Sequence, residues 1–170
     1  MKRRSRGFTL LELMTAIVVL GVLLGIAVPT FRDVIRNNRI TSQTNDLVSS
    51  LNYARSEALK RSNPVAVCSS ADGATCANSN DWSTGWMMFT DTNANGQVDA
   101  AEQILQTQPA APAGITLNST VQTFVRYSST GMSAGVETFD LLEPGCTGNY
   151  ARRITITVTG RIGSAVVACP

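Results

Sequence analysis

The sequence predicts an α+β protein with one long N-terminal helix, membrane-spanning in its first half and packed on antiparallel β-sheet in its second. Three observations predict it. No ionisable side chain occurs from residue 13 to residue 31, a run about as long as a helix needs to cross a hydrocarbon core of ~30 Å. Beyond it Ile40, Thr44, Leu47, Leu51, Ala54 and Ala58 recur at helical spacing, one stripe that an amphipathic helix lays against a sheet. After Asn63-Pro64 the helical period stops and short apolar and β-branched runs follow, one of which alternates with period two.

The basic cluster Lys2, Arg3, Arg4 and Arg6 precedes the apolar run. It predicts a cytoplasmic N-terminus and puts the bulk of the chain across the membrane. A cleaved secretory signal has an apolar core of about 7–15 residues and a small-residue cleavage site. Here the run is longer and the helical pattern continues past it. Glu12 is the one charge between Gly7 and Pro29. In lipid such a carboxylate costs a few kcal/mol and is a functional candidate by default; among headgroups it stays wet and needs no partner. The chain thus divides into a leader at 1–7, an apolar helical segment at 8–31 and a domain at 32–170, of usual size for a single core.

The helical pattern runs to about Arg61, with Gly21, Gly25 and Pro29 as weak points. Proline costs a helix interior about 3 kcal/mol, so a kink or melted turn is expected at 25–29. Asn63-Pro64 ends the helix, because proline biases its predecessor away from helical backbone. Apolar runs at 65–68, 85–89, 103–107, 121–127, 138–142 and 165–168 read as strands. In 153–159, Ile154, Ile156 and Val158 fall on one face and threonines or Arg153 on the other. Residues 160–163, GRIG, turn the chain. A single antiparallel sheet under the helix is expected.

Fourteen basic side chains stand against twelve acidic ones, and four of the fourteen lie in the leader. The remainder is mildly acidic and lacks the overall basic character of a nucleic-acid-binding domain. Histidine is absent, so no serine has an imidazole to activate it, and no carboxylates are paired for acid-base work; an enzyme is not expected. Cys68, Cys76, Cys146 and Cys169 are an even number in a domain expected outside the cytoplasm, where disulfides persist. They allow three pairings. Cys68–Cys76, closing a polar loop, and Cys146–Cys169, tying down the C-terminal segment, are preferred. No CxxC spacing supports a thiolate metal site.

Two constellations remain. Asp91, Asn93, Asn95, the Gln97 carbonyl, Asp99 and Glu102, with Gly96 sixth, match the calcium-loop pattern at each ligand position. The preceding residues read as strand, not helix, and a polar hairpin loop with side-chain turns and positive φ at Gly96 explains the same residues. Calcium is the one cofactor left open. Arg152, Arg153 and Arg161 approach each other if the last strands form a hairpin, and a guanidinium fork suits phosphate; solvated surface arginines are the plainer reading. Trp86, beside Met87 and Phe89, reads as core, and Trp82 is undecided.

The stretch Arg6-Gly7-Phe8-Thr9-Leu10-Leu11-Glu12-Leu13 resembles the class III signal of type IV pilins and type II secretion pseudopilins. Over essentially the whole chain, the order of SLNYARSEALKRSNPVAVC, DWSTGWMMFTDTNANGQVDAAEQIL, YSSTGM and ITVTGRIGSAVVACP resembles the H-type pseudopilins and the FimT- and FimU-like minor pilins. Major pilins fit less well. The resemblance implies a type IV pilin-like fold, cutting after Gly7 by a prepilin peptidase, methylation of the Phe8 amine, and pairing of Glu12 with the Phe8 amine of a neighbouring subunit. It implies a single-pass inner-membrane protein with a periplasmic head, which joins a pilus or pseudopilus. Its partners would be major and minor pilins and the inner-membrane assembly platform.

Three functions follow from the resemblance: a minor pilin initiating or capping a type IV pilus, a DNA receptor of a competence pilus, or an H-type minor pseudopilin of a type II secretion system. The DNA reading rests on a C-terminal GRxR motif in FimT-like proteins. Here Arg161 matches its first arginine and Gly163 replaces the second.

Overall fold

The computed structural model describes residues 7–120, 123–146 and 148–169. The basic cluster at Lys2, Arg3, Arg4 and Arg6, and the first residues of the strand expected at 121–127, lie outside them.

Helix α1 spans Leu10–Arg61. Thr9 starts it, its Oγ1 accepting the Glu12 amide at 3.2 Å, the bond that T-x-x-E spacing supports at a helix start. The melted turn expected at 25–29 is not there, since the backbone stays helical through Gly25 and Pro29. Proline withdraws one amide donor from the ladder while the flanking turns keep theirs. At the other end Ser62 takes left-handed backbone (φ 51°), and the Asn63 amide bonds back to the Ala58 carbonyl at 3.2 Å. That closure satisfies an end carbonyl before Pro64 leads the chain away.

The chain forms two compact units, Met1–Asn37 and Asn38–Pro170. Among the described side chains of the first unit none is buried. The second begins a few residues later than the boundary expected at 31/32, because Ile40 is the first helical side chain that the core encloses.

Among the described residues the head holds eight strands: β1 Val65–Ser69, β2 Trp86–Thr90, β3 Ile104–Gln108, β4 Thr116–Ser119, β5 Phe124–Tyr127, β6 Glu137–Leu142, β7 Ala151–Ile156 and β8 Ile162–Val167. They form two four-stranded sheets, β3-β2-β1-β5 and β4-β6-β7-β8, antiparallel throughout. The single expected sheet is thus two. Both meet the helix in one core, where Leu47, Leu51, Ala54 and Ala58 pack with Val67, Trp86, Met88 and Tyr127 of the first sheet and Leu117, Phe139, Ile154 and Ile156 of the second. The segment between β1 and β2 links the sheets. The Trp82 amide donates to the Leu117 carbonyl at 2.8 Å, and the Trp82 ring stands edge-on to Phe139 with centroids 4.8 Å apart, a favoured aromatic geometry. Trp82 and Trp86 are both fully buried.

β1 and β2 are buried on both faces. Outside the main core, Ala66, Cys68, Met87 and Phe89 form a second cluster covered by Cys76, Val98 and Phe124. Disulfides join Cys68 to Cys76 and Cys146 to Cys169, the preferred pairing.

Candidate functional site

At the N-terminus, Gly7, Phe8 and Thr9 precede the helix without regular structure. The Gly7–Phe8 peptide bond therefore lies outside the helical ladder, and nothing stands within 4 Å of a Cβ placed at Gly7. Phe8 is 83% exposed. Glu12 lies one turn into the helix, on a surface groove lined by Phe8, Ala16, Val19 and Leu20. Around it, Leu10–Val28 has a mean hydropathy of 2.5 and no residue buried. A carboxylate on such a surface is costly in lipid while charged, and meeting a positive charge there relieves that cost.

The three arginines do not form one patch. β7 and β8 pair as a hairpin, but Arg152 and Arg153 are successive strand residues and point to opposite faces. Arg152 turns toward α1, its Nη2 donating to Thr41 Oγ1 at 3.5 Å. Arg153 lies on the other face, where Nε and Nη2 donate to the two Asp140 carboxylate oxygens at 2.7 and 3.0 Å. This bond and the Asp140 charge raise the guanidinium pKa above its usual value. Arg161 sits in the β7–β8 turn, beyond the Ile156–Ile162 pair. It is four residues along the hairpin from Arg153's level, about 13 Å at strand rise.

The 91–102 segment is the β2–β3 connection. Asp91 is wholly buried. Its Oδ2 accepts the Gly96 amide at 3.2 Å, while Oδ1 has no hydrogen-bond partner. Burial, with Glu102's charge nearby, pushes its carboxyl pKa up against the Gly96 bond. Asp99 Oδ2 accepts from the Asn93 and Asn95 amide nitrogens at 2.6 and 2.9 Å. Glu102 Oε1 accepts the Thr92 amide at 2.8 Å, and Oε2 the Asp99 amide at 3.1 Å. Gly96 has φ +71°, and a Cβ there would stand 2.6 Å from the Phe124 ring. Among the described residues, no group of three or more His, Cys, Asp or Glu is set to hold a metal.

The family of type II transport protein GspH matches residues 43–160, most of the head. The chain belongs to this family. The prokaryotic N-terminal methylation motif matches residues 2–28, so the GspH-type head follows a pilin-type N-terminus, and the apolar helix is a membrane anchor. The pilin-like protein PilA1 of Thermus thermophilus is 34% identical over 100 residues, 58% of this chain and 56% of that relative. The chain thus aligns with little more than half of that protein's length. Among solved structures, the type IV minor pilin FimU of Pseudomonas aeruginosa aligns over 78% of this chain and 90% of its own, with TM-score 0.59 and 24% identity. The minor pseudopilin EpsH from the type 2 secretion system of Vibrio cholerae aligns over 76% and 97%, with TM-score 0.52 and 13% identity. The fold is theirs: an N-terminal helix on antiparallel sheets.

Within this GspH-type head, sequence reasoning missed Arg55. From α1 its Nε donates to the Gly131 carbonyl at 2.9 Å and its Nη2 to the Thr159 carbonyl at 3.0 Å. It thereby ties the β5–β6 connection to the β7–β8 turn. Gly160 completes the joint, with φ +74° and space so tight that a Cβ would stand 2.1 Å from the Gly131 oxygen. The glycine of GRIG is required by that approach. Arg55 lies off the apolar stripe, and no local spacing signals a partner far along the chain.

Proposed function

We propose that the protein is a minor subunit of a type IV pilus-type filament and acts by assembly, initiating or capping it. The observation that carries this reading is the uncovered apolar helix whose one carboxylate, Glu12, follows a Gly7–Phe8 bond held outside the helix. In this reading the N-terminus is cytoplasmic, Leu10–Val28 crosses the inner membrane and the head is periplasmic. A prepilin peptidase frees the Phe8 amine. An ammonium at Phe8 of one subunit and Glu12 of the next are each costly in lipid, and pairing them relieves both. Major and minor pilins and the inner-membrane platform are the partners. The separated arginines lend no support to a DNA-receptor role.

The Thr9 bond uses the Glu12 amide, not its side chain, so Glu12→Ala leaves the helix start intact. The variant is expected in the membrane fraction at the wild-type level and absent from sheared filaments. Normal incorporation would overturn the reading. Deleting the gene then tells the filament: loss of surface pili with secretion intact marks a pilus, and the reverse a secretion pseudopilus.

A further inference from the structure

We propose that the β2–β3 connection of the head binds one calcium ion, held by Asp91, Asn93, Asn95, the Gln97 carbonyl, Asp99 and Glu102. These residues occupy positions 1, 3, 5, 7, 9 and 12 of a twelve-residue loop with glycine sixth, the oxygen spacing that calcium loops use. Spacing alone describes many polar hairpins. What points to a ligand is Asp91, which is wholly buried yet leaves Oδ1 without a partner. Its other oxygen is fixed to the amide of Gly96, the loop's own sixth residue, so the carboxylate faces the loop interior. A buried carboxylate oxygen lacking a donor is costly, and a cation removes the cost.

Three of the remaining side chains already meet. Asp99 Oδ2 draws in the side-chain amides of Asn93 and Asn95. Turning each amide by half a rotation puts oxygen where nitrogen now stands, in exchange for the bonds that Asn93 Oδ1 and Asn95 Oδ1 accept from the Asn95 and Gln97 backbone amides at 3.1 and 2.8 Å. Amide oxygens and the Gln97 carbonyl then supply what the three carboxylates, not clustered for a metal by themselves, do not. Glu102 must exchange at least one of its bonds to the Thr92 and Asp99 amides for the ion.

The frame is rigid where it needs to be. Gly96 lies against Phe124, and Val98 covers the outer cluster of the first sheet. Calcium, with six to eight oxygens at flexible geometry, suits such a set; magnesium demands a tighter octahedron. The loop carries three carboxylates, and the Arg126 guanidinium donates to its Ala94 carbonyl. That places the affinity with extracellular modules, with Kd about 0.1–1 mM. Strands rather than helices flank the loop, so the ion would lock a hairpin in place and open no groove.

The test is calorimetric titration of the full-length chain in detergent, after chelator treatment, with calcium and with magnesium. The expected result is one saturable calcium site per chain, with magnesium at least tenfold weaker, and a calcium-dependent rise in the thermal midpoint read by tryptophan emission. Asp91→Asn and Asp99→Asn should each weaken calcium at least tenfold, while Asp140→Asn, outside the loop, should not. Asp99 is exposed, so its variant carries the test if Asp91→Asn fails to fold. Absence of saturable binding up to about 10 mM calcium, above the range of extracellular modules, would overturn the proposal. So would binding unchanged in the Asp99 variant.

Discussion

The two halves of α1 are one continuous helix in two different surroundings. From Leu10 to Val28 every residue is exposed and nearly every one is apolar. From Ile40 to Ala58 a stripe of buried residues faces the sheets, and its flanks carry Asn45, Asn52 and Arg55. The first half has no polar side, the pattern of a helix suited to lipid, whereas the second is amphipathic because it divides water from a core. The same backbone is read as anchor or as spine from side-chain patterning alone.

Paired substitutions in the two halves sharpen this contrast. Trp82 and Trp86 are the only tryptophans and both are buried in the head, so tryptophan emission during urea unfolding reports the head and ignores the anchor. The largest difference is expected between Leu51→Ala and Leu20→Ala. Emptying the Leu51 site should cost the head about 2–5 kcal/mol. Leu20, 56% exposed, should change head stability by less than about 0.5 kcal/mol. A large head effect from Leu20→Ala would break the comparison.

Glycines give the next pair. Gly160→Ala should cost about 2 kcal/mol or more, because its Cβ would overlap the Gly131 oxygen in left-handed backbone. Gly25 meets nothing within 4 Å of an added Cβ, so Gly25→Ala should leave the head midpoint unchanged. Smaller again is Arg55→Ala, which removes two hydrogen bonds from a half-exposed charged group and should cost about 1 kcal/mol, checked by the same unfolding curves.

The smallest effect is electrostatic and confined to the second half. Arg61 Nε donates to Glu57 Oε2, and this bond lowers the Glu57 pKa below its ordinary 4.5, with Lys60 adding to it. A depressed folded-state pKa means that the stabilisation is present above the ordinary value and fades as pH falls through the folded one. The urea midpoint should therefore drop on acidification from about pH 6 to about pH 3, and drop less in Glu57→Gln. An identical acid dependence in the two proteins would remove Glu57 from the account.

How legible the molecule was follows the same division. The anchor, the buried stripe and the end of the helix at Asn63-Pro64 could be read because each depends on neighbours a few residues away. β4 went unread: in Thr116–Ser119 the buried pair is Leu117 and Ser119, and a buried serine hides the alternation. Two sheets were taken for one, because strand order is set by pairings between distant segments. Helix running past Pro29 was legible; of the kink or melted turn expected at 25–29 the melted turn is absent, because one lost bond leaves its neighbours intact. The arginine trio failed on alternation, since successive strand residues 152 and 153 part to opposite faces, a rule available from the sequence. Of the candidate assembly site, Gly7, Phe8 and Glu12 were legible as a motif. The Thr9 bond beside them went unread, although T-x-x-E spacing signals it.

Arg55's two bonds span 76 and 104 residues of chain, and that separation bears on folding time. Contacts between distant segments close slowly, because loop entropy is lost before they form. If the head emerges behind its helix, the stripe from Ile40 to Ala58 waits bare until the second sheet arrives. Only then can Arg55 reach the final turn. The spine of the head is thus among its first parts to be made and among its last to be sealed.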